Sequence, residues 1–132
     1  MTTYTTTQVL AATGLTIDEL SHLRHRHHLG TPKSHVHIRR DIFTGADLRT
    51  LHAAAVAIAQ HRDDLAAAGI DPTSRIELAP DMIVYYADWW TVQLDRAADG
   101  WTLTREHVDG PDDQPVAGTK LDLLRTVARW VS

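Results

Sequence analysis

Six histidines, His22, His25, His27, His28, His35 and His37, stand within sixteen residues of one another and form the densest run of chemically competent side chains in the sequence. Pairs one helical turn apart, His22 with His25 and His25 with His28, have the spacing that holds Zn²⁺ or Ni²⁺. The chain contains no cysteine, and no neighbouring carboxylate completes a ligand set. No metal and no cofactor are therefore expected. The reading preferred on these residues is a polyanion-facing surface, interleaved with Arg24, Arg26, Lys33, Arg39 and Arg40. Imidazoles take up protons near pH 6.5, and each added charge strengthens phosphate contact.

Other catalytic arrangements are missing from the sequence. Asp81, Asp88, Asp95 and Asp99 have no spacing that pairs carboxylates for acid–base work. There is no Ser/His/Asp order, no phosphate-cradling glycine loop and no metal-hydrolase motif, so no enzyme is expected. Trp89, Trp90, Trp101, Trp130, Tyr85 and Tyr86 gather in the second half. They read first as the core of a small domain with few large aliphatics, and second as an effector pocket or protein-docking face.

Charge divides the chain. Residues 1 to 62 carry seven Lys/Arg against four Asp/Glu and eight of the nine histidines, whereas residues 63 to 132 carry six against thirteen. The first half suits a polyanion and the second does not. A length of 132 residues fits one domain or two small ones, and 43% hydrophobic with 23% charged residues is globular composition. Without cysteine, disulfides and thiolate chemistry are excluded and a reducing compartment is compatible. Met1 to Gln8 is threonine-rich, and no apolar run reaches the ~18 residues of a membrane span. The expectation is a cytoplasmic protein with no membrane association.

These residues need elements to position them. Three helix starts are marked by a threonine followed three residues later by a side chain that can return its hydrogen bond. They are Thr5 with Gln8, Thr16 with Glu19, and Thr44 with Asp47. The first helix ends before Gly14, and the second runs to about His28 over a buried side made of Leu20 and Leu23. The third is long, with Leu48, Leu51, Ala55, Ile58 and Leu65 at three- and four-residue steps, Arg62 filling the gap, and Gly69 as the stop. Gly30-Thr31-Pro32 breaks the chain between the second and third. There Val36, Ile38, Arg40 and Ile42 alternate with His35, His37, Arg39 and Asp41, predicting a small hairpin with Lys33, His35, His37 and Arg39 outward. Beyond Pro72, residues 75–79 and 83–86 are expected strands. Trp90, Val92 and Leu94, then Trp101 and Leu103, predict a β-hairpin across a four-residue turn, Ala97-Ala98-Asp99-Gly100. A competing reading makes residues 87–98 helical. An acidic loop, Asp109 to Gln114, leads to a closing helix from about Thr119 to Trp130.

The order of pieces from Tyr4 to Leu51 resembles the MerR-like winged helix-turn-helix family. Tyr4-Thr5-Thr6-Thr7-Gln8-Val9 matches its opening tyrosine, cap and first helix, and Gly14-Leu15-Thr16 its turn. Leu20 matches the core leucine of its second helix, Leu29 with Pro32 the exit into the wing, and Phe43 with Asp47-Leu48 the start of the helix behind the wing. The chain departs from the family at Asp18, Ser21 and His22, where a basic residue and an arginine–tyrosine pair are usual. His27 stands at a customary glycine, and Asp41 where the wing arginine commonly sits. The resemblance implies a dimer that lays its second helix in the major groove and its wing on the flanking backbone.

The expected fold is α+β. A winged helix-turn-helix with a long third helix occupies residues 1–69, and an acidic domain with a β-hairpin, closed by a helix, occupies residues 70–132. The expected function is a sequence-specific transcriptional regulator that binds double-stranded DNA as a homodimer. The alternatives are an excisionase-like accessory factor and a protein-interaction module such as an antitoxin. DNA contacts are expected from Ser21, His22, Arg24, His25, Arg26, Lys33, His35, His37, Arg39 and Arg40. The dimer seam is expected at Leu51, Ala55 and Ile58, with a small-molecule or protein partner on the second domain.

Overall fold

The computed structural model of the chain describes residues 2–27, 29, 31–32, 41–73 and 75–131. The fold is α+β, and the chain divides into two compact units, Met1–Ala57 and Ile58–Ser132.

In the first unit, local hydrogen bonds start each helix. β1 (Thr3–Thr5) runs into α1 (Thr6–Thr13), where the Gln8 backbone N–H donates to Thr5 Oγ1 at 3.3 Å and Thr5 N–H donates to Gln8 Oε1 at 2.9 Å. Each bond satisfies a backbone donor that the first helical turn leaves free. Gly14 closes α1 at φ 74°, a left-handed conformation, with its N–H donating to the Leu10 carbonyl at 2.9 Å. Leu15 is buried, and Thr16 repeats the reciprocal cap with Glu19 at 3.1 and 2.9 Å to open α2 (Ile17–His27). β2 (Thr31–Pro32) and β3 (Asp41–Thr44) come next, and α3 (Gly45–Ala67) is opened by Thr44 and Asp47 at 3.1 and 3.0 Å. All three expected caps are thus made. The strands form an antiparallel sheet in the order β1-β3-β2, with Tyr4 opposite Phe43 and Thr31 opposite Ile42. β1 was not expected, because a threonine run before a cap carries no apolar alternation. Val9, Leu15, Leu20, Leu23, Phe43, Leu51 and Ala54 are buried. The expected hairpin strand through Val36, Ile38 and Arg40 lies outside the described residues.

The second unit begins inside α3. Expectation put the boundary after Gly69, but the last turns of α3 pack against the sheet strands and the closing helix: His61 Nε2 meets the Pro80 carbonyl at 3.0 Å, and Asp64 pairs with Lys120. The buried positions of α3 are Leu51, Ala54, Ile58, His61 and Leu65. The stripe expected through Leu48, Ala55 and Arg62 is therefore rotated by about one residue, those three being half-buried. The gap is filled by His61. Gly69, at φ 87°, ends the helix while Ile70 N–H reaches back to the Leu65 carbonyl at 2.9 Å.

Five strands then form an antiparallel meander: β4 (Ile76–Ala79), β5 (Met82–Tyr86), β6 (Trp90–Ala97), β7 (Gly100–His107) and β8 (Val116–Gly118). Residues 87–98 are accordingly not helical. Period-two alternation sends Ile83, Val92, Leu94, Trp101 and Leu103 to one buried face, and leaves Thr91, Gln93, Asp95, Thr102 and Thr104 half-buried on the other. α4 (Lys120–Val131) packs on β7 and β8 and buries Leu123, Leu124 and Val127. The β6–β7 turn spans the four expected residues, Ala97 to Gly100. Ala97 pairs with Gly100, which leaves a two-residue loop of Ala98 and Asp99. Glycine is required at position 100 because a Cβ there would stand 3.0 Å from the Gly118 carbonyl oxygen on β8. Among the described residues, no helix is long and apolar enough to cross a membrane.

Candidate functional site

The exposed side of α2 is set by its two buried leucines. At 100° per residue, burying Leu20 and Leu23 turns Asp18, Ser21, His22, His25 and Arg26 outward, and all five are exposed. Asp18 and Glu19 occupy the first turn and Arg24, His25, Arg26 and His27 the last, so both ends complement the helix dipole. Arg24 is half-buried, and both Arg24 and Arg26 already hold interactions within the chain. α1 and α2 are joined by the three residues Gly14, Leu15 and Thr16, so the buried Leu15 and the left-handed Gly14 set the turn between them.

Lys33, His35, His37, Arg39 and Arg40 lie outside the described residues. His22 and His25 are a turn apart on α2, but among the described residues no group of three or more histidines and carboxylates is placed to hold a metal ion. Leu51 and Ile58, expected at a seam between two copies, have no exposed surface in the single chain, and Ala55 is half-buried. Their own chain covers that apolar stripe. Val56, 68% exposed, lies on the other side of α3 with Ala53 and Gln60.

The aromatic residues of the second unit fall into three settings. Trp101 is buried, with the His61 ring edge-on at 5.6 Å and the Arg96 and Lys120 cations 5.4 and 5.6 Å from its centroid. A carbonyl only accepts, so His61 Nε2 donates to Pro80, and Nδ1 is buried with no partner among the described residues. Burial, with the Lys120 charge adding to it, holds His61 below its ordinary pKa. Burial alone would raise Asp64, but hydrogen bonds from Lys120 and Gln60 outweigh it and hold its carboxyl below the usual value. These contacts make the cluster part of the unit's packing.

Trp90 and Trp130 meet edge to face at 6.2 Å, Tyr85 stacks on Trp90 at 5.9 Å, and the Arg105 guanidinium lies 4.0 Å from the Trp130 ring centroid. Arg105 Nε also donates to Asp113 at 2.7 Å, and His107 Nε2 pairs with the other carboxylate oxygen at 2.9 Å. These bonds, His107 first and Arg105 second, hold the Asp113 carboxyl below its usual range. The effect is to fasten the loop after β7 onto the strand it left.

Beyond that fastening lies an open groove of about 440 Å³, lined by Trp89, His107, Val108, Asp109, Gly110 and Pro111. Trp89 and Val108 are exposed, as is Tyr86. In the sequence Trp89 stands only among six aromatics of a general pocket or docking face, and neither the outline of this groove nor the His61 cluster was legible, since each joins residues from separate elements. The one signal for the groove was Trp89 itself, a large aromatic outside the Trp90–Val92–Leu94 alternation. No family model, no curated protein and no solved structure matches the chain.

Proposed function

We propose that the chain is a sequence-specific DNA-binding regulator that acts as a homodimer, reading bases with the outward side of α2 and holding the backbone with the residues just after it. The observation that carries this reading is the α1–α2 pair. Two short helices joined by a three-residue turn with glycine are the arrangement that presents a second helix to a major groove. In this chain that helix offers Ser21, His22, His25 and Arg26 on its exposed side. The arrangement also agrees with the resemblance to the MerR-like winged helix-turn-helix family, whose wing would supply Lys33, Arg39 and Arg40. A second copy would meet the side of α3 that carries Val56, because Leu51 and Ile58 are already covered. The acidic second unit would then serve as the partner-binding half.

An interaction-module reading draws on a different observation. Ile17 is 70% exposed beside Asp18 at the start of α2, a pairing better suited to a protein surface than to phosphates. One experiment separates the two. Sites selected from random duplex DNA are titrated across salt, and affinity should fall steeply as counterion release weakens. Ser21→Ala and His22→Ala should relax preference at one or two base pairs, at a cost of about 1–3 kcal/mol on the best site. Absence of duplex binding even at low ionic strength would leave the interaction-module reading standing.

A further inference from the structure

The second unit keeps two large apolar side chains in water at one end of its sheet. Trp89, 72% exposed, belongs to the loop between β5 and β6, and Val108, 65% exposed, to the loop after β7. Pro111 is exposed beside them in the same groove. Burying Trp89 would remove a large apolar area from water, and at about 25 cal/mol per Å² exposed aromatic surface is the usual anchor of an interface.

The two loops are fixed rather than loose. Val108 N–H donates to the Trp89 carbonyl at 3.1 Å, and Ala87 N–H to the Trp90 carbonyl at 2.9 Å. Asp113 N–H donates to the Arg105 carbonyl at 2.9 Å, while its carboxylate binds Arg105 and His107. A surface already held in shape loses less entropy when a partner arrives. The groove is also open, which suits a chain segment better than a small molecule, since small ligands need enclosure.

Charge selects the partner. From Glu106 to Thr119 the sequence has four carboxylates, Glu106, Asp109, Asp112 and Asp113, and no lysine or arginine. Asp113 is engaged inside the loop, whereas Asp109 lines the groove and Asp112 is exposed one residue beyond Pro111 in the same loop, and Asp88 lies next to Trp89 in a pair with Arg75 at 2.9 Å. Such a rim repels phosphates and a second copy of itself, and attracts cations. A tryptophan face adds to that attraction for lysine and, more strongly, arginine.

We propose that this groove docks a basic segment of a partner protein, an apolar residue seated against Trp89 and Val108 and an adjacent Lys or Arg facing Asp109 and Asp112. The inference rests on the partner-binding role of the second unit and not on DNA recognition by the first.

The probe is a random heptapeptide display library selected on the full chain, with the winning peptides resynthesised for titration. Peptides with Lys or Arg next to an aliphatic or aromatic residue should be enriched. They should lose at least tenfold in affinity with Trp89→Ala and with the pair Asp109→Asn and Asp112→Asn, while circular dichroism stays unchanged. Val108→Ser gives the same loss by an independent route. DNA affinity of these variants should equal that of the parent, so failure here and failure of the DNA reading are distinguishable. Selection of acidic or uncharged peptides, selection of the same peptides by Trp89→Ala, or no enrichment at all would overturn the proposal. A concentration-dependent dimer that Trp89→Ala abolishes would overturn it as well, because a second copy would then be the occupant.

Discussion

The two units lean to different degrees on local and long-range information, although the first also has a small sheet and α4 of the second is also capped, by Thr119. In the first, each helix is started by two side chains three residues apart, and Thr5, Thr16 and Thr44 make those bonds within their own turn. In the second, the sheet holds together by pairings such as Leu94 with Leu103 and Leu103 with Val116, and its closing glycine is dictated by a carbonyl on another strand. The charges differ too: the first half is rich in histidine and arginine, and the second carries thirteen of the seventeen carboxylates. A short-range code leaves a surface free to vary, whereas a sheet built on alternation commits every second residue to its core. The first unit accordingly exposes one whole side of α2, whereas the second exposes Trp89 and Val108 in its loops.

Core truncation should show the largest effect. Leu103 is fully buried in a central strand, so Leu103→Ala should cost about 2–5 kcal/mol in urea denaturation followed by tryptophan fluorescence. A loss below about 1 kcal/mol would mean that the sheet face is not the unit's core.

The next effect comes from acid. His61 titrates below 6.5 in the folded chain, so on unfolding it takes up a proton that the native state refuses. Its contribution is complete above pH 6.5 and is lost as pH falls from there toward the lower folded value, by at most about 1.4 kcal/mol per pH unit. Pro80 and Ala79 carbonyls favour the proton, while burial and the cations of Lys120 and Arg96 oppose it. His61→Phe should flatten the fall of denaturation midpoints just below pH 6.5. Asp64 and Asp113 add their own loss only at lower pH, through and below 3.8. An unchanged slope in His61→Phe would assign the pH dependence elsewhere.

The smallest effect sharpens the contrast from the other side. Thr16→Ala removes a single cap at the start of α2 and should cost about 1 kcal/mol, with the helical dichroism otherwise kept. If Thr16→Ala proved as damaging as Leu103→Ala, the first unit would depend on more than local bonds.

The sequence by itself determined the three helix starts, the stops at Gly14 and Gly69, the outward side of α2 and the strand alternation of β6 and β7. Each of these rests on residues a few positions apart, whose geometry is set by the helical or extended period alone. Tertiary structure decided the rest. Residue type marked His61 as polar, but its place in the three- and four-residue step buried it against Trp101, and the expected seam of Leu51 and Ile58 proved to be covered. β8 exists only because β7 offers an edge to pair with. The groove of Trp89 and Val108 needs two loops brought together by one backbone bond between residues nineteen positions apart. A contact of that kind has no period in the chain, so only folding reveals it.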